Sequence, residues 1–121
     1  MGARQTWTVV ITDYNYPDLA IEEEELRRWD ARVVPAQCTR PEEVVDVGRD
    51  ADALISQYAP ITREVILELR RCKALGRYGI GVDNIDVQAA TERGIAVVNV
   101  PSYCEDEVSD HALAMLLSWA R

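Results

Sequence analysis

The chain has 121 residues, with 21 Asp and Glu against 13 Lys and Arg, for a formal net charge of −8. That acidic excess repels phosphate backbones and anionic lipid surfaces, which argues against nucleic acid and membrane partners. The length suits one domain with a real core. The three cysteines, Cys38, Cys72 and Cys104, form no C-x-x-C pair, so neither a disulfide framework nor a zinc ribbon is suggested, and reduced thiols in a cytoplasmic protein are expected.

Met1 to Thr6 lead into the first predicted strand without the apolar core of a signal peptide, and no stretch approaches the roughly 18 apolar residues of a membrane helix. That strand is Trp7-Thr8-Val9-Val10-Ile11, β-branched and apolar. Asp13 to Asp18, with Pro17, reads as a loop, and Leu19 to Trp29 as a helix with Ile21, Glu25, Leu26 and Trp29 at helical spacing. Glu22–Glu25 reads as a solvated helix face. Ala31–Val34 is the second strand. Thr39 followed three residues later by Glu42 reads as a capping box opening a short helix through Val47.

Asp52–Ser56 is the third strand. Thr62 starts a helix to about Arg70 that places Val65, Ile66 and Leu69 on one face. Lys73–Tyr78 is the fourth strand. Asp86 caps a helix ending at Gly94, and Ile95–Val100 is the fifth strand, stopped by Pro101. Five strands alternating with helices imply βαβ units and an open, doubly wound α/β sheet of flavodoxin type, with ligands beyond the carboxyl ends of the strands. The loops at Asp13–Tyr16, Ser56–Pro60 and Gly79–Asp86 are therefore the ones to watch.

From Val108 the chain changes character. Val108, Ala112, Met115 and Trp119 form one apolar stripe, and Leu113, Leu116, Leu117 and Ala120 fill much of the rest. A helix apolar nearly all round is expected to be buried on most sides, and a five-stranded domain covers one side only. The expectation is that this helix belongs with a further domain or pairs with a second copy of the chain.

The stretch Arg77-Tyr78-Gly79-Ile80-Gly81-Val82-Asp83-Asn84-Ile85-Asp86 carries the chemistry. Two glycines straight after a strand allow a tight turn and close approach to a ligand, and successive free N–H groups there can form an anion-binding concavity. The third glycine of the dinucleotide fingerprint is missing. On spacing alone, a tight strand-to-helix turn without a ligand is an equal reading.

The full string is more specific. Arg-Tyr-Gly-Ile-Gly-Val-Asp-Asn-Ile-Asp (77–86), Ala-Ala-Thr-Glu-Arg-Gly-Ile (89–95), Asn-Val-Pro-Ser-Tyr-Cys (99–104) and Glu-Val-Ser-Asp-His-Ala-Leu-Ala-Met-Leu-Leu (107–117) closely resembles the D-isomer-specific 2-hydroxyacid dehydrogenases. That family includes phosphoglycerate dehydrogenase, formate dehydrogenase and the C-terminal-binding-protein corepressors. The resemblance implies a flavodoxin-like substrate-binding domain over 1–101, and over 102–121 an interdomain helix leading into an NAD-binding domain. It implies hydride transfer between nicotinamide and a small 2-hydroxy or 2-keto acid, with NAD, or else NADP, bound in the intact protein and not by this segment alone. The catalytic Arg, Glu and His of the family have no counterpart in these residues, so no catalytic residue and no metal ligand is assigned, and the segment by itself is expected to be inactive.

By position, the resemblance puts substrate-carboxylate binding on the backbone N–H groups of Tyr78, Gly79 and Ile80, and a cofactor-edge role on Cys104 and Val108, with a half-buried bystander thiol as the competing reading of Cys104. His111, the single histidine, matches a helix histidine of the family and is read as structural. A homodimer through the 106–121 helix is expected. Phosphate-handling members place an arginine on the loop after the third strand, where this chain reads Ser56-Gln57-Tyr58-Ala59-Pro60. A phosphorylated substrate therefore lacks its partner there, and 3-phosphoglycerate is disfavoured. Two other classes compete. A corepressor-like interaction domain uses the same fold. A signalling receiver domain would need an aspartate ending the third strand and a lysine after the fifth, where this chain has Ser56-Gln57 and Asn99-Val100-Pro101.

Overall fold

A computed structural model describes residues 6–121; the reading of Met1–Gln5 as a leader without a signal core lies outside the described residues. The chain runs β1 (Trp7–Ile11), α1 (Ala20–Arg27), β2 (Ala31–Pro35), α2 (Pro41–Gly48), β3 (Ala53–Ser56), α3 (Arg63–Glu68), β4 (Ala74–Arg77), α4 (Val87–Glu92), β5 (Ala96–Val98) and α5 (Glu105–Trp119). All neighbouring strands are parallel, in the order β2-β1-β3-β4-β5. This is the flavodoxin-type sheet expected from the alternation of strands and helices, with its switch point between β1 and β3.

Strand alternation divides the core between two faces. Val9 and Ile11 pack with Leu19 beside α1, together with Leu26, Val33, Ile55 and Tyr78. Val10, between them in sequence, faces the other way, into the cluster of Val44, Leu54, Val65, Ile66, Leu69, Leu75, Ala89 and Ala90 built by α2, α3 and α4. The α3 face expected from Val65, Ile66 and Leu69 is fully buried. At the edge strand, Ala96 and Val98 remain open to solvent.

Local signals hold, with shifts. Thr62 caps α3 and Asp86 caps α4 through their side chains, and Gly94 follows α4 at φ +68°. The capping residue of α2 is Glu43 rather than Glu42. Pro41 opens the helix, which puts Glu43 in its third position. There one carboxylate oxygen accepts the Thr39 amide at 2.7 Å, the Thr39 hydroxyl at 3.2 Å and the Arg40 amide at 3.1 Å. In α1 the buried anchors are Leu19 and, in part, Leu26. Ile21 is exposed on the outer side of α1, and Trp29 is exposed because the helix ends at Arg27 and the chain turns through Asp30 at φ +54° into β2.

The expectation of a mostly buried terminal helix is not met within this chain. α5 has no buried residue, and Val108, Leu113, Met115, Leu116, Leu117 and Trp119 all face solvent. α1 packs on one face of the sheet and α2, α3 and α4 on the other, while α5 buries no residue against either. Among the described residues no helix is long and apolar enough to cross a membrane.

Candidate functional site

The carboxyl ends of β1, β3 and β4 converge on one rim of the sheet. The pairing of β3 with β4 continues one step past the strands, where the Tyr78 amide donates to the Ser56 carbonyl at 2.9 Å. The chain then breaks away from the sheet at Gly79, a buried residue at φ +148°. An L side chain is strained at that φ, so the backbone itself requires glycine there. Gly81 lies outside the positive-φ region, and a Cβ added there would meet nothing closer than Asp83 Oδ2 at 3.7 Å. Only the first of the two glycines is therefore dictated by conformation.

The amides of the turn fall into two sets. Tyr78 N–H is taken by Ser56, and Gly79 N–H donates to the Arg77 carbonyl at 2.9 Å across a three-residue turn. The amides of Ile80 and Gly81 donate to no protein group among the described residues. Of the three amides expected to form the cradle, two are thus engaged by the protein's own carbonyls. The open donors lie one step further on, at Ile80, which is 43% exposed, and Gly81.

Arg77 adds a charge that the motif reading overlooked. Its guanidinium lies over Gly79, close enough that a Cβ on Gly79 would sit 1.8 Å from Nη1. Its Nε is buried without a hydrogen-bond partner, and no carboxylate among the described residues forms an ion pair with it. A buried cationic donor left unpaired is costly unless an anion completes it. An arginine ending the strand immediately before Gly-x-Gly is the signal that would have found it.

The turn is anchored on both sides. Gly79 C=O accepts the Val100 amide at 2.9 Å, and Ile80 C=O accepts Asn99 Nδ2 at 2.7 Å. Asn84 Nδ2 donates to Ser56 Oγ and to the Ala59 carbonyl, both at 3.0 Å, tying the descending limb to the loop after β3. That loop is held in turn by Asp13, whose carboxylate accepts the Gln57 and Tyr58 amides and the hydroxyls of Thr12 and Ser56. Asp13 is 8% exposed and acts as the loop's acceptor.

Beside the turn, the Tyr78 hydroxyl donates to Glu22 at 2.7 Å and its ring meets Tyr16 edge-on, with centroids 5.2 Å apart. Burial, and then the Glu22 carboxylate, push the Tyr78 phenol well above its ordinary range, so it stays protonated. A cavity of about 310 Å³ opens at the switch point between Asp13, Gln37, Cys38, Gln57 and Tyr58. Burial pushes the Cys38 thiol up, and the nearby carboxylates of Glu43, Asp13 and Asp46 add to the effect, which leaves it a poor nucleophile.

The remaining candidates lie along the last helix. Cys104 is the half-buried N-cap of α5. Val108 follows one turn later, 61% exposed, and donates its amide to the Cys104 carbonyl at 3.0 Å. The two share a helix face at the start of α5. His111 lies on the exposed surface of the same helix. Ser56 ends β3 where a receiver domain would carry its phosphoryl-accepting aspartate. No group of three or more His, Cys, Asp or Glu among the described residues could hold a metal ion.

Residues 9–117 match the family described as D-isomer specific 2-hydroxyacid dehydrogenase, catalytic domain. Among curated relatives, the chain is 43% identical over 81 residues to a D-3-phosphoglycerate dehydrogenase of Methanocaldococcus jannaschii, an alignment covering 66% of this chain and 16% of that protein. It is 37% identical over 102 residues to a glyoxylate reductase of Pyrococcus furiosus, covering 83% of this chain and 29% of that protein. Among solved structures, the NAD+-bound 3-phosphoglycerate dehydrogenase of Entamoeba histolytica superposes with a TM-score of 0.78 at 28% identity, covering 93% of this chain and 38% of that one. The TT0316 protein of Thermus thermophilus gives 0.78 at 30% identity, with 94% and 37% covered. The chain therefore spans well under half the length of the relatives it matches.

Proposed function

Since this chain belongs to the D-isomer specific 2-hydroxyacid dehydrogenases, matching their catalytic domain over residues 9–117, we propose that it is the substrate-binding part of an NAD-dependent enzyme. That enzyme transfers hydride between nicotinamide and a small 2-hydroxy or 2-keto acid. The observation that carries this reading is the meeting, at the carboxyl rim of a parallel sheet, of the Ile80 and Gly81 amides, which donate to no protein group among the described residues, with Arg77, whose buried Nε has no hydrogen-bond partner there. Main-chain donors and a guanidinium are the groups that hold a carboxylate by charge-assisted hydrogen bonds. The acid's carboxylate sits in this turn, with Tyr78 and Gly79 shaping the turn rather than donating to the ligand. Among the described residues Arg77 is the cation at the turn, and the loop 56–60 carries none, so an unphosphorylated acid suits the site better than 3-phosphoglycerate.

In this reading the described residues are not the nucleotide cradle. The Gly79-x-Gly81 turn is separated by Val82–Asp86 from the short α4, so no helix N-terminus opens directly onto it as a pyrophosphate site would need. NAD, or NADP, supplies the hydride chemistry in the intact protein. In this reading 1–101 is the substrate domain and 102–121 the interdomain helix. Cys104 and Val108 at the start of α5 form the edge of the segment that meets the cofactor domain, and the cytoplasm is the compartment. The open apolar surface of α5 supports pairing with a second copy of the chain; a monomeric mass at high concentration in sedimentation would count against that pairing.

The test has two arms. The full-length protein is assayed for NADH oxidation with glyoxylate, pyruvate and hydroxypyruvate, and the 121-residue chain is titrated with NADH by fluorescence. Turnover by the full-length protein and no binding by the chain are expected. Tight NADH binding by the chain would refute the domain assignment. Absence of turnover with every 2-keto acid would favour the corepressor-like reading of the same fold.

A further inference from the structure

The two open amides owe their direction to bonds made on the other side of the turn. In a trans peptide, the N–H of one residue points opposite to the C=O of the residue before it, and the described chain has no cis peptide. Gly79 C=O is held by the Val100 amide at 2.9 Å, which turns the Ile80 N–H away from Val100. Ile80 C=O is held by Asn99 Nδ2 at 2.7 Å, which turns the Gly81 N–H away from Asn99. Consecutive residues just past β5 thus pull both carbonyls to one side and present both N–H groups on the other. The first anchor is main chain, and any residue except proline supplies it. The second is a side chain, and none but Asn99 bonds the Ile80–Gly81 peptide among the described residues.

We propose that Asn99 is a positioning residue for the anion site, locking the Ile80–Gly81 peptide so that the Gly81 N–H faces the carboxylate. The inference rests on reading the turn as that site, and adds to it the side chain that sets the donor geometry. Without Asn99, the exposed Ile80–Gly81 peptide has no side-chain anchor and can rotate about its flanking single bonds. In the rotated form a carbonyl oxygen replaces an N–H toward the anion, and attraction becomes repulsion. A fixed donor avoids that reorganisation, the usual advantage of preorganised oxyanion sites.

The test is two-dimensional NMR of the 121-residue chain titrated with oxalate, a carboxylate probe that needs no cofactor. In the native chain the Ile80 and Gly81 amide protons are expected to shift downfield together and saturably. In Asn99→Ala, which changes no charge, the Gly81 response is lost while the Ile80 response persists, because Val100 still orients it. The oxalate Kd rises about tenfold, as for loss of one hydrogen bond to a charged group. A merely structural role would weaken both amides equally or melt the fold. Should Asn99→Ala fail to fold, Asn99→Ser, too short to reach Ile80, decides by the same comparison. Retention of the Gly81 shift with unchanged Kd overturns the role of Asn99 and leaves the anion site standing. No response at either amide in the native chain removes the anion site and this inference with it.

Discussion

The Asp13 carboxylate accepts the Tyr58 amide at 2.6 Å on one oxygen and the Gln57 amide at 3.0 Å on the other. A single side chain at the end of β1 therefore holds the start of the loop after β3, across the switch point of the sheet. Asp13→Ala strands two amides in a largely buried site, at about 1–3 kcal/mol for each unsatisfied group. Urea unfolding is expected to show a loss of about 3 kcal/mol, and Asp13→Asn, which keeps one acceptor oxygen, about half of that. A stability equal to the native chain's would mean that the loop does not depend on Asp13.

Glu43 gives a pH dependence with a defined sign. The Thr39 amide above all, then the Arg40 guanidinium and amide, lower its pKa from 4.5 to about 2. A carboxylate whose folded-state pKa is depressed stabilises the fold fully above its unfolded pKa and loses that contribution as pH falls through the folded value. The stability difference between the native chain and Glu43→Gln is therefore expected to be constant above pH 4.5 and to vanish toward pH 2. A carboxyl NMR titration of Glu43 with an ordinary midpoint would contradict it.

Arg77 separates binding from folding. Arg77→Met removes a cation with no carboxylate partner among the described residues, so thermal stability is expected to hold or rise slightly. Oxalate affinity, measured by calorimetry, falls by about ten- to a hundredfold, the equivalent of one charge-assisted hydrogen bond. Arg77→Lys recovers part of the loss, because an ammonium supplies the charge without the planar fork.

Gly79→Ala forces an L side chain to φ +148° and places its Cβ where the Arg77 guanidinium lies. The backbone strain is expected to cost about 1–3 kcal/mol in thermal unfolding. Oxalate binding weakens at the same time, since Arg77 must swing aside. Gly81→Ala, at a position with room for a methyl group, is expected to leave stability within about 0.5 kcal/mol of the native chain. Equal losses at the two glycines would show that crowding, rather than the conformation of Gly79, governs the turn.

Element order, strand count and the caps at Thr62, Asp86 and Gly94 could be read from the residues, because they depend on interactions within a few positions: alternation, helical spacing, local side-chain acceptors and φ. The shift of the α2 cap from Glu42 to Glu43 is the kind of one-residue error that local reading makes when a proline resets where the helix starts. The exposure of Ile21 and Trp29 was illegible for another reason. Apolar spacing shows that a face could be buried, but not where the helix stops or whether anything lies opposite.

By itself, the sequence determined a parallel α/β sheet and a glycine turn at its ligand-bearing rim, since both follow from short-range chemistry repeated along the chain. Only the tertiary structure decided which donors of that turn are free. Tyr78 and Gly79 offer the same N–H groups as Ile80 and Gly81. They are engaged because Ser56 continues the pairing of β3 with β4 and because the chain folds back on Arg77, while Asn99 and Val100, some twenty positions away, hold the carbonyls of the turn. Hydrogen bonds between distant segments depend on register and crossing geometry, which no local pattern encodes.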